Sequence, residues 1–325
     1  MRFLVTGGCG FIGSHLVARL VNNGHYVTIL DDLSTGSLDN VVSFLTRPQV
    51  ELFIDTILNA SLVEELVRRS DFVYHLAAVV GVKKVLDNPI ESILVNVHGT
   101  NNVLKSCTHW HRPLLLTSTS EIYGKNTAVP FTEDADIIIG TTTKRRWSYA
   151  CTKALDEFLA FAYAEEEKLK VIIVRLFNTV GPGQSPHYGM VLPRFVKQAL
   201  AGQPLTVFGD GQQTRCFLHV DDALTAMEKL ASSAKAYGEV FNVGSQEEVT
   251  IGQLAHLVKE LTCSPSEIIF LPPEKVYPVG FEDMGRRVPD ISKLTGLTGF
   301  QPKKNLRDIV TDTIAYFRSG KSPAL

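Results

Sequence analysis

The chain has 325 residues, 45% of them hydrophobic, with a formal net charge of −2, enough for one large or two modest domains with a buried core. That charge offers no basic field for nucleic acid, and no apolar run reaches the ~20 residues needed to span a bilayer. Five scattered cysteines (Cys9, Cys107, Cys151, Cys216 and Cys263) and an N-terminus that begins on an apolar strand, with no charged leader, fit a cytoplasmic protein with reduced thiols and no metal site.

In chain order, Arg2 to Thr6 reads as a short buried strand, and Gly7-Gly8-Cys9-Gly10-Phe11-Ile12-Gly13 turns into a helix-period apolar run from Ile12 to Val21. A tight turn, a close pyrophosphate and close helix–strand packing each forbid a Cβ, at Gly7, Gly10 and Gly13 respectively, with phosphate at the helix N-terminus. Phe11 and Ile12 complete the expected cofactor contacts of this turn. The next strand, Tyr26 to Leu30, ends in Asp31, where a carboxylate grips a ribose diol and repels a 2′-phosphate, so NAD is favoured over NADP. Further strands follow at 50–54, 72–76, 113–118 and 171–177. They alternate with helices at 61–69, 89–106 and from Tyr149 to about 168. This pattern predicts an α/β fold with a Rossmann-type doubly wound parallel sheet. Gly181-Pro182-Gly183 then opens a Gly/Pro-punctuated stretch of mixed short elements. The expected division is an NAD-binding domain over 1–178, with elements around 216–243 returning to it, and a smaller mixed α/β substrate domain over 179–325.

Two clusters carry chemistry. Tyr149 and Lys153 lie four apart on one helix face, where the ammonium is expected to lower the phenol's pKa and make Tyr149 an alcohol base. Thr119-Ser120-Glu121 follows a strand end, where sites gather. Glu121 is either a catalytic carboxylate for a second step or a solvated or cation-paired loop residue.

These segments resemble the extended short-chain dehydrogenases/reductases of the nucleotide-sugar epimerase/dehydratase family from Met1 to about Pro302. The resemblance rests on VTGGCGFIG at 5–13, DDLSTG at 31–36, HLAA at 75–78, TSTSEIYG at 117–124, YACTK at 149–153, RLFNTVGPG at 175–183 and TRCFLHVDD at 214–222. It implies NAD as a tightly held cofactor and a nucleoside-diphosphate sugar, most readily a UDP-sugar, as substrate. Relatives that only invert C4 carry Ser, Ala or Thr at the place of Glu121. Ser-Thr-Ser-Glu-Ile-Tyr-Gly is closest to UDP-glucuronic acid decarboxylases and to GDP-mannose 4,6-dehydratases, and Asp31 argues against the latter's NADP. Arg286-Arg287-Val288-Pro289-Asp290-Ile291 and Arg145-Arg146-Trp147-Ser148-Tyr149 also resemble decarboxylase stretches. The resemblance therefore implies decarboxylation of UDP-glucuronic acid to a UDP-pentose. A UDP-sugar 4-epimerase, a 4,6-dehydratase and a non-catalytic NAD-binding regulator are the alternatives.

By position, the resemblance places Thr56 and Ile57 at the adenine, Leu76, Ala77 and Ala78 along the pyrophosphate and ribose, and Ser118 at the nicotinamide. Thr119 would donate to the ketone oxygen; Glu121 and Arg287, with Ser120 assisting, would place a sugar carboxylate and manage the C5 proton. Arg287 has an equal alternative in neutralising the substrate diphosphate, the role implied for Arg215. Asn178 would reach the phosphates and Leu192 the base. Asp55 stands where Gly is common, and Gly183 where many relatives have Arg. Relatives dimerise through four-helix bundles, and Leu94, Val97, Leu104, Leu155, Phe158, Leu159, Ala162 and Tyr163 offer stripes for a homodimer or for the core.

Overall fold

The computed structural model describes residues 1–186, 190–272, 282 and 284–320, with the side chains of 82–84 left aside. Its first half alternates strands with helices: β1 (Arg2–Thr6), α1 (Phe11–Asn22), β2 (Tyr26–Asp31), α2 (Val42–Leu45), β3 (Val50–Ile54), α3 (Ala60–Arg68) and β4 (Phe72–His75). Next are α4 (Val82–Asp87), α5 (Pro89–Leu94), α6 (Thr100–His109), β5 (Leu114–Thr119), α7 (Trp147–Glu166) and β6 (Val171–Leu176). Shorter elements follow: β7 (Thr179–Val180), α8 (Val191–Leu200), β8 (Leu205–Phe208), β9 (Thr214–Cys216), β10 (Leu218–His219), α9 (Val220–Ala231) and β11 (Glu239–Val243). The last are β12 (Glu248–Thr250), α10 (Ile251–Thr262), β13 (Ile268–Leu271), α11 (Ser292–Thr298) and α12 (Leu306–Arg318).

Seven of the strands form one parallel sheet of order β11-β6-β5-β4-β1-β2-β3. Such a sheet must be covered on both faces, which is why Leu4, Val5, Leu114–Leu116 and Val171–Val174 are apolar whichever way they point. On one face Leu16, Val17 and Leu20 of α1 pack with Leu224 and Met227 of α9; on the other, Leu66 and Val67 of α3 pack with Leu104 of α6 and Ala160 of α7. Strand order reverses at β1, which lies between β2 and β4, so a crevice opens above its carboxyl end. A separate apolar cluster joins α8, α10 and α12 through Phe195, Leu254 and Ile309.

One departure from the sequence pattern matters for the site. The single helix expected over 89–106 is interrupted by a π-helical segment, Val95–Gly99, between α5 and α6. The extra residue turns Asn96 inward: its Oδ1 accepts the Val79 N–H at 2.8 Å, and its Nδ2 donates to Thr152 Oγ1 of α7 at 3.4 Å. A Cβ on Gly99 would meet the Ile57 side chain, which would have to move aside.

Behind the site, Arg175 of β6 and Glu157 of α7 form a buried forked pair, with Nη2 to Oε2 at 2.7 Å and Nε to Oε1 at 3.1 Å. Arg175 Nη1 also donates to the Tyr123 hydroxyl at 3.0 Å and the Glu133 carbonyl at 2.7 Å, so the guanidinium is compensated where it is buried.

Candidate active site

A cleft of about 710 Å³ opens at the carboxyl ends of the sheet strands. The β1–α1 loop supplies Gly7, Gly10, Phe11, Ile12 and Gly13 to its wall. Gly7 has φ +72° and its carbonyl accepts the Gly10 N–H at 3.1 Å; a Cβ on Gly7 would lie 2.8 Å from the Ala77 nitrogen. A Cβ on Gly13 would strike the Gly7 carbonyl oxygen, which is why helix and strand can approach so closely. Asp31, 7% exposed at the end of β2, accepts the Leu33 N–H at Oδ1 (2.8 Å) and the Cys9 N–H at Oδ2 (2.9 Å). Burial pushes its carboxyl above the ordinary range, and these backbone bonds oppose the shift. Asp31 also lines the cleft. Ile57, Leu76, Ala77, Ala78 and Ser118 also line the cleft, and Ser118 Oγ is buried with no hydrogen-bond partner among the described residues. Thr56 is not part of the lining: its N–H goes to Asp55 Oδ1 (2.7 Å) and its Oγ1 accepts the Leu58 N–H (3.2 Å), while Asp55 itself faces the cleft.

These features fit a dinucleotide: a Cβ-free cradle at a helix N-terminus, a carboxylate fixed by backbone donors, and an orphaned hydroxyl farther along the same wall.

The rest of the cleft is built around α7 and the turn after β5. Thr119 caps the 3₁₀ turn Ser120–Tyr123 by accepting the Glu121 N–H at 3.3 Å, so its own hydroxyl hydrogen remains available to a ligand. Ser120 and Glu121 line the cleft with Thr119. The Glu121 carboxylate is held between two guanidiniums: Oε2 meets Arg146 Nη1 in a short contact, and Oε1 lies 3.4 Å from Arg287 Nη1. All three side chains are at most 16% exposed. The expected neighbours Glu121 and Arg287 are thus brought together, 166 residues apart in sequence. Arg146 is an addition; it precedes Tyr149 by one helical turn, the spacing that could have marked it.

Tyr149 and Lys153 both line the cleft. The expectation that Lys153 lowers the phenol's pKa is not met in this structure. Burial, with the charges of Glu121 and Asp156, pushes the Tyr149 phenol well above its ordinary range, and only Arg146 opposes the shift. The Lys153 ammonium is paired with Asp156, at 2.8 Å. Asn178, Leu192 and Arg215 line the remaining wall, joined by Arg194, whose guanidinium stacks 3.9 Å from the Phe208 ring centroid. Asn178 Nδ2 donates to the Cys216 carbonyl (3.0 Å), and Arg215 Nη1 to the Thr214 carbonyl (2.8 Å). Trp147 is packed, 2% exposed, with Nε1 on Glu282 Oε2 at 2.9 Å. His75 is fully buried at the end of β4.

Comparison with known proteins places these features in context. The model of the NAD dependent epimerase/dehydratase family matches residues 3–244. UDP-N-acetyl-α-D-glucosaminuronate decarboxylase of Bacillus cytotoxicus is 43% identical over 318 residues, covering 98% of each chain. UDP-glucuronic acid decarboxylase 1 of Xenopus tropicalis is 36% identical over 317 residues, 98% of this chain and 72% of that one. Among solved structures, UDP-glucuronic acid 4-epimerase of Bacillus cereus, in complex with UDP-glucuronic acid and NAD, superposes with a TM-score of 0.89 at 28% identity, covering 99% of this chain and 100% of that one.

Replacing Asp31 by Asn removes the charge while keeping the shape. NAD affinity, measured by calorimetry, should fall by about tenfold or more, with a smaller loss for NADP, because a charged hydrogen bond to the ribose diol is worth roughly 1.5–3 kcal/mol. Equal losses for both dinucleotides would remove Asp31 from that role.

Proposed function

The chain belongs to the NAD-dependent epimerase/dehydratase family, and from that premise we propose that it decarboxylates a UDP-hexuronic acid, UDP-glucuronic acid in the first instance, to a UDP-pentose. The single observation that carries the reading is the Arg146–Glu121–Arg287 cluster in the same cleft as Tyr149. A C6 carboxylate, unlike the hydroxymethyl group of a neutral hexose, needs a forked cation to place it.

NAD, when bound, supplies the acceptor and later donor of the C4 hydride. The β1–α1 loop would hold its pyrophosphate, Asp31 its adenosine ribose, and Ser118 and Lys153 its nicotinamide end. Tyr149 takes the proton from the sugar O4, and the Thr119 hydroxyl donates to the oxygen as it becomes a ketone. That ketone makes the C6 carboxylate a β-keto acid. The C5–C6 bond breaks, carbon dioxide leaves, and the electron pair passes into the C4 oxygen as an enolate. Arg146 and Arg287 orient the carboxylate before it leaves. Glu121 fixes both guanidiniums and, with Ser120, manages the proton that C5 gains. Tyr149 finally returns its proton to O4. Asn178 and Arg215 serve the diphosphate, and Leu192 with the Arg194–Phe208 stack serves the base.

The 43% identical relative supports the 2-acetamido uronate as a second substrate. The 4-epimerase reading is the runner-up, supported by the solved neighbour that holds UDP-glucuronic acid. Five free cysteines support a reducing, cytoplasmic setting, and no helix among the described residues is long and apolar enough to cross a membrane.

A homodimer is part of the same proposal. Of the two predicted stripes, Leu104, Leu159 and Tyr163 pack in the core. Phe158 is 67% exposed on α7, and Leu155 beside it, with Ile90, Ile93 and Leu94 of α5, is also exposed. Because α5 and α7 touch, this apolar face is of the kind a second copy covers with the same two helices.

With UDP-glucuronic acid and NAD, NMR should show loss of C6 and a pentose product. Tyr149→Phe should lower turnover by about 10²–10⁴ without any NADH signal. Glu121→Gln should slow turnover while letting NADH accumulate transiently. Loss of hydride transfer in Glu121→Gln as complete as in Tyr149→Phe would refute this division of labour. For the assembly, light scattering should give twice the chain mass, and Phe158→Glu should halve it with secondary structure intact; a monomeric wild type would contradict the dimer.

A further inference from the structure

Lys153 is not an isolated cation beside Tyr149. Its ammonium donates to Asp156 Oδ2, and both side chains are buried, at 3% and 0% exposure. The same oxygen accepts from Thr100 Oγ1 at 3.2 Å, because the π-helical segment delivers the start of α6 against α7. Thr100 Oγ1 lies 3.1 Å from His75 Nε2; His75 Nδ1 lies 2.7 Å from Thr6 Oγ1; and Thr6 Oγ1 accepts the Ala77 N–H at 3.3 Å. The string therefore runs beneath the sheet's carboxyl edge from the residue before Gly7 to the lysine of the dyad.

Counting hydrogens fixes its direction. With Asp156 ionised as the partner of Lys153, the carboxylate can only accept, so the single hydroxyl hydrogen of Thr100 goes to it. His75 Nε2 must then carry a hydrogen and donate to Thr100. Burial, with the Lys153 charge adding, pushes His75 down to about 3, so the ring is neutral and Nδ1 is an acceptor, taking the Thr6 hydrogen. Thr6 in turn accepts from Ala77. Every donor in the string points toward Asp156, and Lys153 points at it from the other side. An ionised carboxylate satisfies this arrangement; a protonated one would carry its hydrogen on Oδ1, which has no partner among the described residues. Burial pushes the Asp156 carboxyl up, and Lys153 and Thr100 oppose the shift.

We propose that Asp156 is a positioning residue: a buried anion, aimed and held by Thr100, His75 and Thr6, that engages the Lys153 ammonium and so draws its charge away from Tyr149, one turn before it on α7. The groups that face this pair are few. Glu121 and Asp156 raise the phenol and Arg146 lowers it; Glu157 adds its charge to Asp156; His75 is neutral. The string also joins the lysine to the dinucleotide cradle, since Thr6 precedes Gly7 and Ala77 lies against it. A ligand entering the cleft therefore meets a lysine whose hydrogen bond to Asp156 is already made. The proposal rests on Tyr149 being the base.

The test is a titration. The ultraviolet phenolate band of wild type minus Tyr149→Phe, recorded ligand-free and with saturating NAD, reports Tyr149 alone. The same difference is taken for Asp156→Asn against the double variant. Removing the anion should lower the apparent pKa of Tyr149 by about one unit or more, and the acid limb of turnover should move down by the same amount. Thr100→Val, which keeps shape and removes only the hydroxyl that holds Asp156, should shift both readouts in the same direction by less, and it serves if Asp156→Asn fails to fold. An unchanged or raised pKa in the folded variants overturns the proposal. Full turnover by Tyr149→Phe would instead overturn the choice of base, while the titration would still report on Asp156.

Discussion

Every charge buried along α7 has to find its partner, and the arrangement of the cleft follows from that requirement. Arg146, Lys153, Asp156 and Glu157 are each at most 4% exposed on one helix. A buried charge left alone would cost several kcal/mol, more than most single contacts return. Arg146 is met by Glu121 from the turn after β5, Lys153 by Asp156 one turn along, and Glu157 by Arg175 of β6. The first pair lines the cleft beside Tyr149, the second holds the lysine of the dyad, and the third bolts the helix to the sheet. Tyr149 sits between the first two and inherits its chemistry from both.

This explains why the dyad does not behave as helix spacing alone suggests. Two residues four apart on a helix do meet, but the influence of a cation on a phenol depends on what else the cation serves. Here the ammonium is shared with a carboxylate that is itself fed by a string of hydroxyls and a neutral imidazole. Burial and the two nearby anions dominate, and the phenol is pushed up.

Much of the architecture was legible because it rests on local rules. Continuous apolar runs such as Leu114–Leu116 demand a doubly covered strand, and the glycines at 7 and 13 answer to contacts a Cβ would break. Glu121 and Arg287 were readable as site residues only through resemblance; their proximity is a product of tertiary folding that no spacing encodes. Arg146 was visible as part of a motif but not as the partner of Glu121. Asp156 was not legible, since a carboxylate three residues after a lysine on a helix is ordinarily a solvated surface pair, and only the π-helical interruption and the closeness of α6 bury it. Thr56 was named by resemblance alone, and the structure shows its N–H on Asp55 and its hydroxyl oxygen accepting from Leu58.

The most direct test of the proposed chemistry is to follow hydrogen at C4 and C5 during turnover of UDP-glucuronic acid in deuterium oxide. If the C4 hydride leaves and returns within one closed cleft, and C5 is reprotonated after carbon dioxide departs, the pentose product should carry one deuterium at C5 and none at C4. A product that keeps C6, or one with deuterium at C4, would contradict it.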